Sequence, residues 1–446
     1  VLLAALKACW VLVLVGIVAL QPSRVRAVPS FAEQTGQPCA ACHVGAFGPQ
    51  LRPFGRDFKL NGYVASDGKH HFPPIAASAY GSFTHTAQNQ PGGAARWFAP
   101  NNNAALDQVS LYYAGAIDRH LGAFIQITYD GIGRQLQEDN FDIRYARERD
   151  ILGIDSVWGL TFNNNPTVSD LWNSTPAWGF PYNGSSLAAT PLAATRIDGS
   201  FGQSVLGIGG YAMWNDWVYT ELDLYRGLGR DIRNATGIVP VSGTDSVVDT
   251  APYWRLALQH DDFGHHLNWE IGTYGMQANV LPAGFSPAGK ADSFLDIAAD
   301  ANVQITQSPR AVASNVLSAH ATIIGETQNL AASNLLAGSD PHGHLTTARA
   351  DISYSLGATV TPTAQIFSIS GSPDAGYWAT PGGKPGSSGA ILELAYAPFG
   401  KTDSWIRWGN IRLAIQYVIY TRFDGQTTGA AHNDTVYASL WAAWHF

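Results

Sequence analysis

Cysteine, methionine and charge are all scarce in this chain. Its 446 residues include three Cys, two Met and only 13% charged side chains, roughly half the ~25% of an ordinary soluble domain. With 46% hydrophobic residues and little self-repulsion, a disordered polymer is excluded. One cysteine, Cys9, sits in a leading apolar run, and the remaining pair is too small a set for a disulfide scaffold. Long hydrophobic runs are also missing: only Ala8 to Leu20 approaches spanning length, and the mean hydropathy is −0.04. A bundle of membrane helices is therefore excluded. The net charge of −8 argues against nucleic acid as a partner and mildly favours cations.

What the chain does have is 46 Gly and 11% aromatic residues. Low charge, abundant Gly and aromatics, and no apolar helices together suit an outer-membrane β-barrel, whose alternating strands average to neutral hydropathy. The N-terminus reads as a secretory signal over residues 1–27. Lys7 precedes the apolar core, and Val25-Arg26-Ala27 precedes a cut at Val28.

Cys39-Ala40-Ala41-Cys42-His43 is the C-x-x-C-H attachment motif of c-type haem. Two thiols one turn apart can form thioethers with the two vinyl groups of a single haem, which leaves the next imidazole as proximal iron ligand. A thioredoxin-like redox pair would need a βαβ context, and a zinc site would need a second Cys pair. The expected cofactor is therefore one covalently attached haem c held by Cys39, Cys42 and His43. For the sixth position, Met213, Met276, His70, His71 and His85 are candidates, and the residues do not choose among them.

From about Ala77 the sequence alternates with a period of two. Leu295, Ile297, Ala299, Ala301, Val303 and Ile305 share one strand face; Asp296, Asp300, Asn302 and Gln304 share the other. The last segment carries Val436, Ala438, Leu440, Ala442, Trp444 and Phe446 on one face. About sixteen such segments are separated by alternately long and short connections. This predicts a closed antiparallel outer-membrane barrel over residues 77–446, in contact with outer-membrane lipid. The long connections, 165–203 among them, are placed outside the cell. Inward charges are expected at Asp142, Arg144, Glu221, Asp223, Arg255, Glu270, Asp296, Asp300, Arg349, Asp351, Glu393 and Arg412. Trp254, Trp269, Tyr417 and Trp444 suit interfacial girdles.

A helical cytochrome segment over residues 28–72 is too small to bury much core alone. Lodged in the bore, it would bring one haem within reach of both sides of a ~25 Å apolar band. Phe31, Phe47, Leu51, Phe54, Phe58, Leu60 and Tyr63 are available to pack on the porphyrin. Val28-Pro29-Ser30-Phe31-Ala32 before the C-x-x-C-H, and the run Leu51 to Tyr63 after it, resemble the fused monohaem cytochrome–porins of iron-oxidising bacteria. Leu392 to Lys401, Asn410 to Tyr417 and Tyr420 to Phe423 are similar too. The resemblance implies an iron:cytochrome c oxidoreductase of the outer membrane. Extracellular Fe(II) would be the donor and a periplasmic c-type cytochrome or other soluble carrier the acceptor. The alternatives are electron uptake from another donor, or a passive porin with a cytochrome plug.

Overall fold

The computed structural model describes residues 29–69, 74–151, 153–179, 183–228, 245–284, 286–309, 311–404, 406 and 409–446. The leader, His70, His71 and Phe72 lie outside the described residues.

Seventeen strands form one antiparallel sheet. They run from β1 (Ile75–Thr86), β2 (Asn103–Asp118), β3 (Leu121–Asp130), β4 (Gln135–Ile151) and β5 (Ile154–Asn163) to β16 (Gly409–Arg422) and β17 (Thr435–His445). β1 pairs with both β2 and β17, with Ala76 opposite Tyr112 on one side and His445 on the other, so the sheet closes without a free edge. The three-residue β8 (Ser246–Val248) pairs with the far end of β10 (Leu267–Leu281), beyond the stretch paired to β9 (Ala251–Asp262). β8 and β9 therefore share one wall position, and the wall has sixteen. β1 begins at Ile75, two residues before the expected boundary, because Ile75 and Ala76 already pair with Tyr113 and Tyr112.

The alternation predicted from sequence is the inside–outside pattern of this wall. On β11 (Asp292–Thr306), Leu295, Ile297, Val303 and Ile305 are exposed, whereas Asp296, Asp300, Asn302 and Gln304 are buried. An apolar exterior around a polar interior, with every strand paired on both sides, is the arrangement a lipid bilayer demands of a sheet. The protein is an outer-membrane β-barrel. Trp269 and Trp444 lie on outward positions near the end of the barrel where β17 finishes. Trp254 lies outward near the opposite rim. By the rule that periplasmic turns are short and external loops long, the β17 terminus marks the periplasmic end.

Eleven of the twelve expected inward charges are buried, and Arg349 is partly so. Most are paired. Arg144 Nε reaches Asp142 Oδ2 at 2.7 Å. Arg255 Nη2 lies 2.5 Å from Glu270 and 2.8 Å from Asp300. Arg412 pairs with Glu393, and Arg349 with Asp198.

The 164–204 connection departs from expectation. It leaves the external rim after β5 but turns into the bore instead of standing outside. Asn164, Thr167, Val168, Ser169, Asp170, Leu171 and Trp172 are almost wholly buried. Several of its polar groups bond to the wall: Ser169 donates to Glu221, Trp172 Nε1 to Gln259 (3.0 Å), and the N–H groups of Arg196 and Ile197 to Glu326 and Asp296. A buried backbone needs such partners, and the charged inner face supplies them.

Replacing outward-facing Ile297, half exposed near the middle of β11, with Arg places a charge against hydrocarbon. Urea unfolding in lipid should show a loss of about 2–4 kcal/mol; an unchanged midpoint would mean this face does not meet lipid.

Candidate functional site

Three short helices precede the barrel: α1 (Pro29–Thr35), α2 (Cys39–Cys42) and α3 (Pro53–Leu60). α2 is the C-x-x-C turn itself, closed by the His43 N–H donating to Cys39 O at 2.9 Å. The chain then loops back, and Val44 N–H to Gln50 O (3.0 Å) and Arg52 N–H to Cys42 O (2.8 Å) fasten its base. α3 packs directly on the motif: a Cβ on Gly55 would sit 2.5 Å from Cys42 O, so only glycine fits there.

These helices lie inside the periplasmic mouth of the barrel, tied to its turns by buried cations. Arg52 Nη1 donates to Ala40 O and Val312 O, both at 2.6 Å, joining the motif to the turn after β11. Arg56 pairs with Asp261 and donates to Gln304 Oε1 at 3.2 Å. The N–H of Ala40 donates to Gly400 O at 3.0 Å, and a Cβ at Gly400 would stand 2.7 Å from Cys39 Sγ. Tyr63 donates to Asp142 at 2.6 Å, and Asn410 to Ala46 O at 2.6 Å.

α3 also grips the inserted connection. Lys59 Nζ donates to Val168 O, Asp170 O and Asn173 Oδ1, each at 2.6 Å. Asn173 returns a bond to Pro49 O at 2.9 Å, and the Arg56 guanidinium lies 3.7 Å over the Trp172 ring. Burial, helped by Arg144, pushes the Lys59 ammonium down to about 7, while Asp142, Asp170 and Glu221 oppose it.

Between the helices, the wall and the inserted connection is a cavity of about 350 Å³, within the ~300–1,000 Å³ usual for small-molecule sites. Cys39, Cys42 and His43 all open onto it. Phe31 and Phe58 from the helices, Tyr112 and Phe124 from the wall, and Trp178 from the inserted connection give it aromatic sides. Phe31 stacks on Tyr63 at 5.4 Å and meets Phe58 edge-on at 5.0 Å. Burial pushes the His43 imidazole down to about 4, so the ring is neutral and carries a lone pair. Its Nδ1 is buried without a hydrogen-bond partner. Burial, reinforced by Cys39, pushes the Cys42 thiol up to about 12, the opposite of an activated redox thiol. The two cysteines form no disulfide. Among the described residues, no three His, Cys, Asp or Glu side chains converge to hold a bare metal ion. Two thiols and one neutral imidazole on an aromatic-walled cavity are the donors that a covalently held haem c would need.

Of the expected packing residues, Phe31, Phe47, Leu51, Phe58 and Tyr63 line the cavity. Phe54 is exposed, and Leu60 instead packs with Trp172 and Tyr211. The described sixth-ligand candidates are elsewhere. Met213 lies in the cluster around Trp172, Met276 in that around Phe294, and His85 on β1 bonds Asn102. His70 and His71 lie outside the described residues. Sequence reasoning missed Lys59, Tyr112, Phe124 and Trp178. The available signal was the apolar content of 164–204, where Val168, Leu171, Trp172, Trp178, Ile197 and Phe201 are too many for an exposed loop.

No family model matches this chain, and no curated protein does. Among solved structures it is similar to OmpF of Salmonella typhi in complex with daunomycin, at 10% identity over 83% of this chain and 97% of that one (TM-score 0.44). It is also similar to the outer-membrane channel DcaP of Acinetobacter baumannii, at 9% identity over 83% and 96% (TM-score 0.43). OmpT of Vibrio cholerae stands at 7% identity over 83% and 96% (TM-score 0.42). At such identities the likeness concerns the fold alone.

Two substitutions probe this arrangement. Gly55→Val forces α3 away from Cys42 O. It should destabilise the helical segment by about 1–3 kcal/mol, seen as faster proteolysis within residues 29–69 while the barrel still resists heat. Lys59→Met removes the three bonds to the inserted connection and should raise ion conductance in planar bilayers; conductance equal to wild type would mean that the clamp does not seal the bore.

Proposed function

We propose that this protein is an electron conduit of the outer membrane, which oxidises extracellular Fe(II) and passes the electron through one haem c to a periplasmic carrier such as a soluble c-type cytochrome. The observation that carries this reading is the meeting of Cys39, Cys42 and His43 on one aromatic-walled cavity inside a transmembrane cylinder. When bound, the haem supplies reversible one-electron chemistry at its iron.

The chain's own residues do the rest. Cys39 and Cys42 would hold the macrocycle, and neutral His43 would ligate the iron through its lone pair. Phe31, Phe58, Tyr112 and Phe124, which line the cavity, would shield the bound group from water. Arg52 and Arg56 fix the helices against the barrel turns, and Lys59 fixes them against the inserted connection. Helices and inserted connection together occupy the bore, which favours electron passage over solute passage; solute flux through the wild-type protein in liposomes would favour the porin alternative.

The testing experiment reconstitutes the holoprotein in liposomes with Fe(II) outside and oxidised cytochrome c trapped inside. Reduction of the trapped cytochrome, absent from protein-free liposomes, is expected; none across the physiological pH range would overturn the proposal. His43→Ala should still insert as a barrel but lose the low-spin haem spectrum and the transfer.

A further inference from the structure

The inserted connection does more than close the bore. Its short helical turn Pro176–Trp178 ends on a tryptophan that lines the cavity. The Trp178 ring lies 5.1 Å from Lys59 Nζ, and its centroid is 6.3 Å from that of Phe124. Its indole Nε1 is buried and has no hydrogen-bond partner, although buried Trp N–H groups usually find an acceptor. Trp172, six residues earlier in the same connection, does find one, on Gln259. An orphaned buried donor is costly, so an acceptor belongs beside it.

This inference rests on the reading that a haem occupies the cavity. A haem c presents a flat apolar surface broken by two carboxylate side chains, the propionates, which are its anionic acceptors. We propose that Trp178 contacts the haem directly, its indole N–H donating a hydrogen bond to a propionate, so that this connection from the external rim shapes the cofactor's environment. Lys59 is the positioning residue behind it, holding Val168, Asp170 and Asn173 and so the turn that carries Trp178. An N–H on a carboxylate disperses part of its negative charge. A propionate without that donor favours the more positive, oxidised iron.

Trp178→Phe deletes the donor and keeps an aromatic ring. In purified holoprotein it should lower the midpoint potential in a spectroscopic redox titration and shift the propionate bending band in resonance Raman spectra. Lys59→Met, which frees the connection, should move both readouts in the same direction, whereas Lys59→Arg should restore most of the wild-type values. An unchanged potential and an unchanged propionate band in Trp178→Phe would overturn the assignment. Should Trp178→Phe fail to insert, wild-type holoprotein refolded in D2O serves instead: the propionate band is expected to shift on indole deuteration, and a band identical to that in H2O counts against the contact. A chain that carries no covalent haem, by mass or by pyridine haemochrome, would instead fail the functional reading itself, so the two failures are distinguishable.

Discussion

Everything in this molecule depends on how a segment too small to fold alone is held inside a cylinder. Residues 29–69 form three short helices around a loop, and a piece of that size cannot bury enough surface to be stable by itself. What fixes it is a set of three buried cations, Arg52, Arg56 and Lys59, each directed at carbonyls or carboxylates of the barrel or of its inserted connection. A buried charge is tolerated when it is paired and fully hydrogen-bonded, and the barrel's inner face is rich in acceptors. The cations of the helical segment find backbone carbonyls, the amide oxygens of Asn173 and Gln304, and the Asp261 carboxylate.

The same constraint explains the inserted connection. A bore lined with carboxylates beneath a small plug would leave many polar groups without partners. The 164–204 segment brings backbone N–H groups to Asp296 and Glu326, and side-chain donors to Glu221 and Gln259. It also helps to enclose the cavity, which Asn173, Ala177 and Trp178 line together with the helices and the wall. The segment that enters the bore is thus also one that walls the cavity, and Lys59 ties it to the helices.

The barrel was legible in the sequence because lipid imposes a period of two. Ile297 outward and Asp296 inward are a direct readout of which solvent each face meets. The site was legible only where its residues are contiguous: Cys39, Cys42 and His43 announce themselves by spacing. Tyr112, Phe124 and Trp441 reach the same cavity from strands far away in sequence, and no local pattern marks them. The inserted connection was misplaced because its Asn, Ser, Thr and Gly content suits an exposed loop, while its few large apolar residues carry the information about where it goes.

The central claim is that one porphyrin is enclosed within the bore. The most direct measurement is an electron-density or cryo-electron-microscopy map of the holoprotein. The account predicts planar density joined to Cys39 and Cys42, ligated by His43, and bounded by Tyr112, Phe124 and Trp178. Density hanging below the periplasmic mouth, or a cavity filled by side chains with no porphyrin, would contradict it.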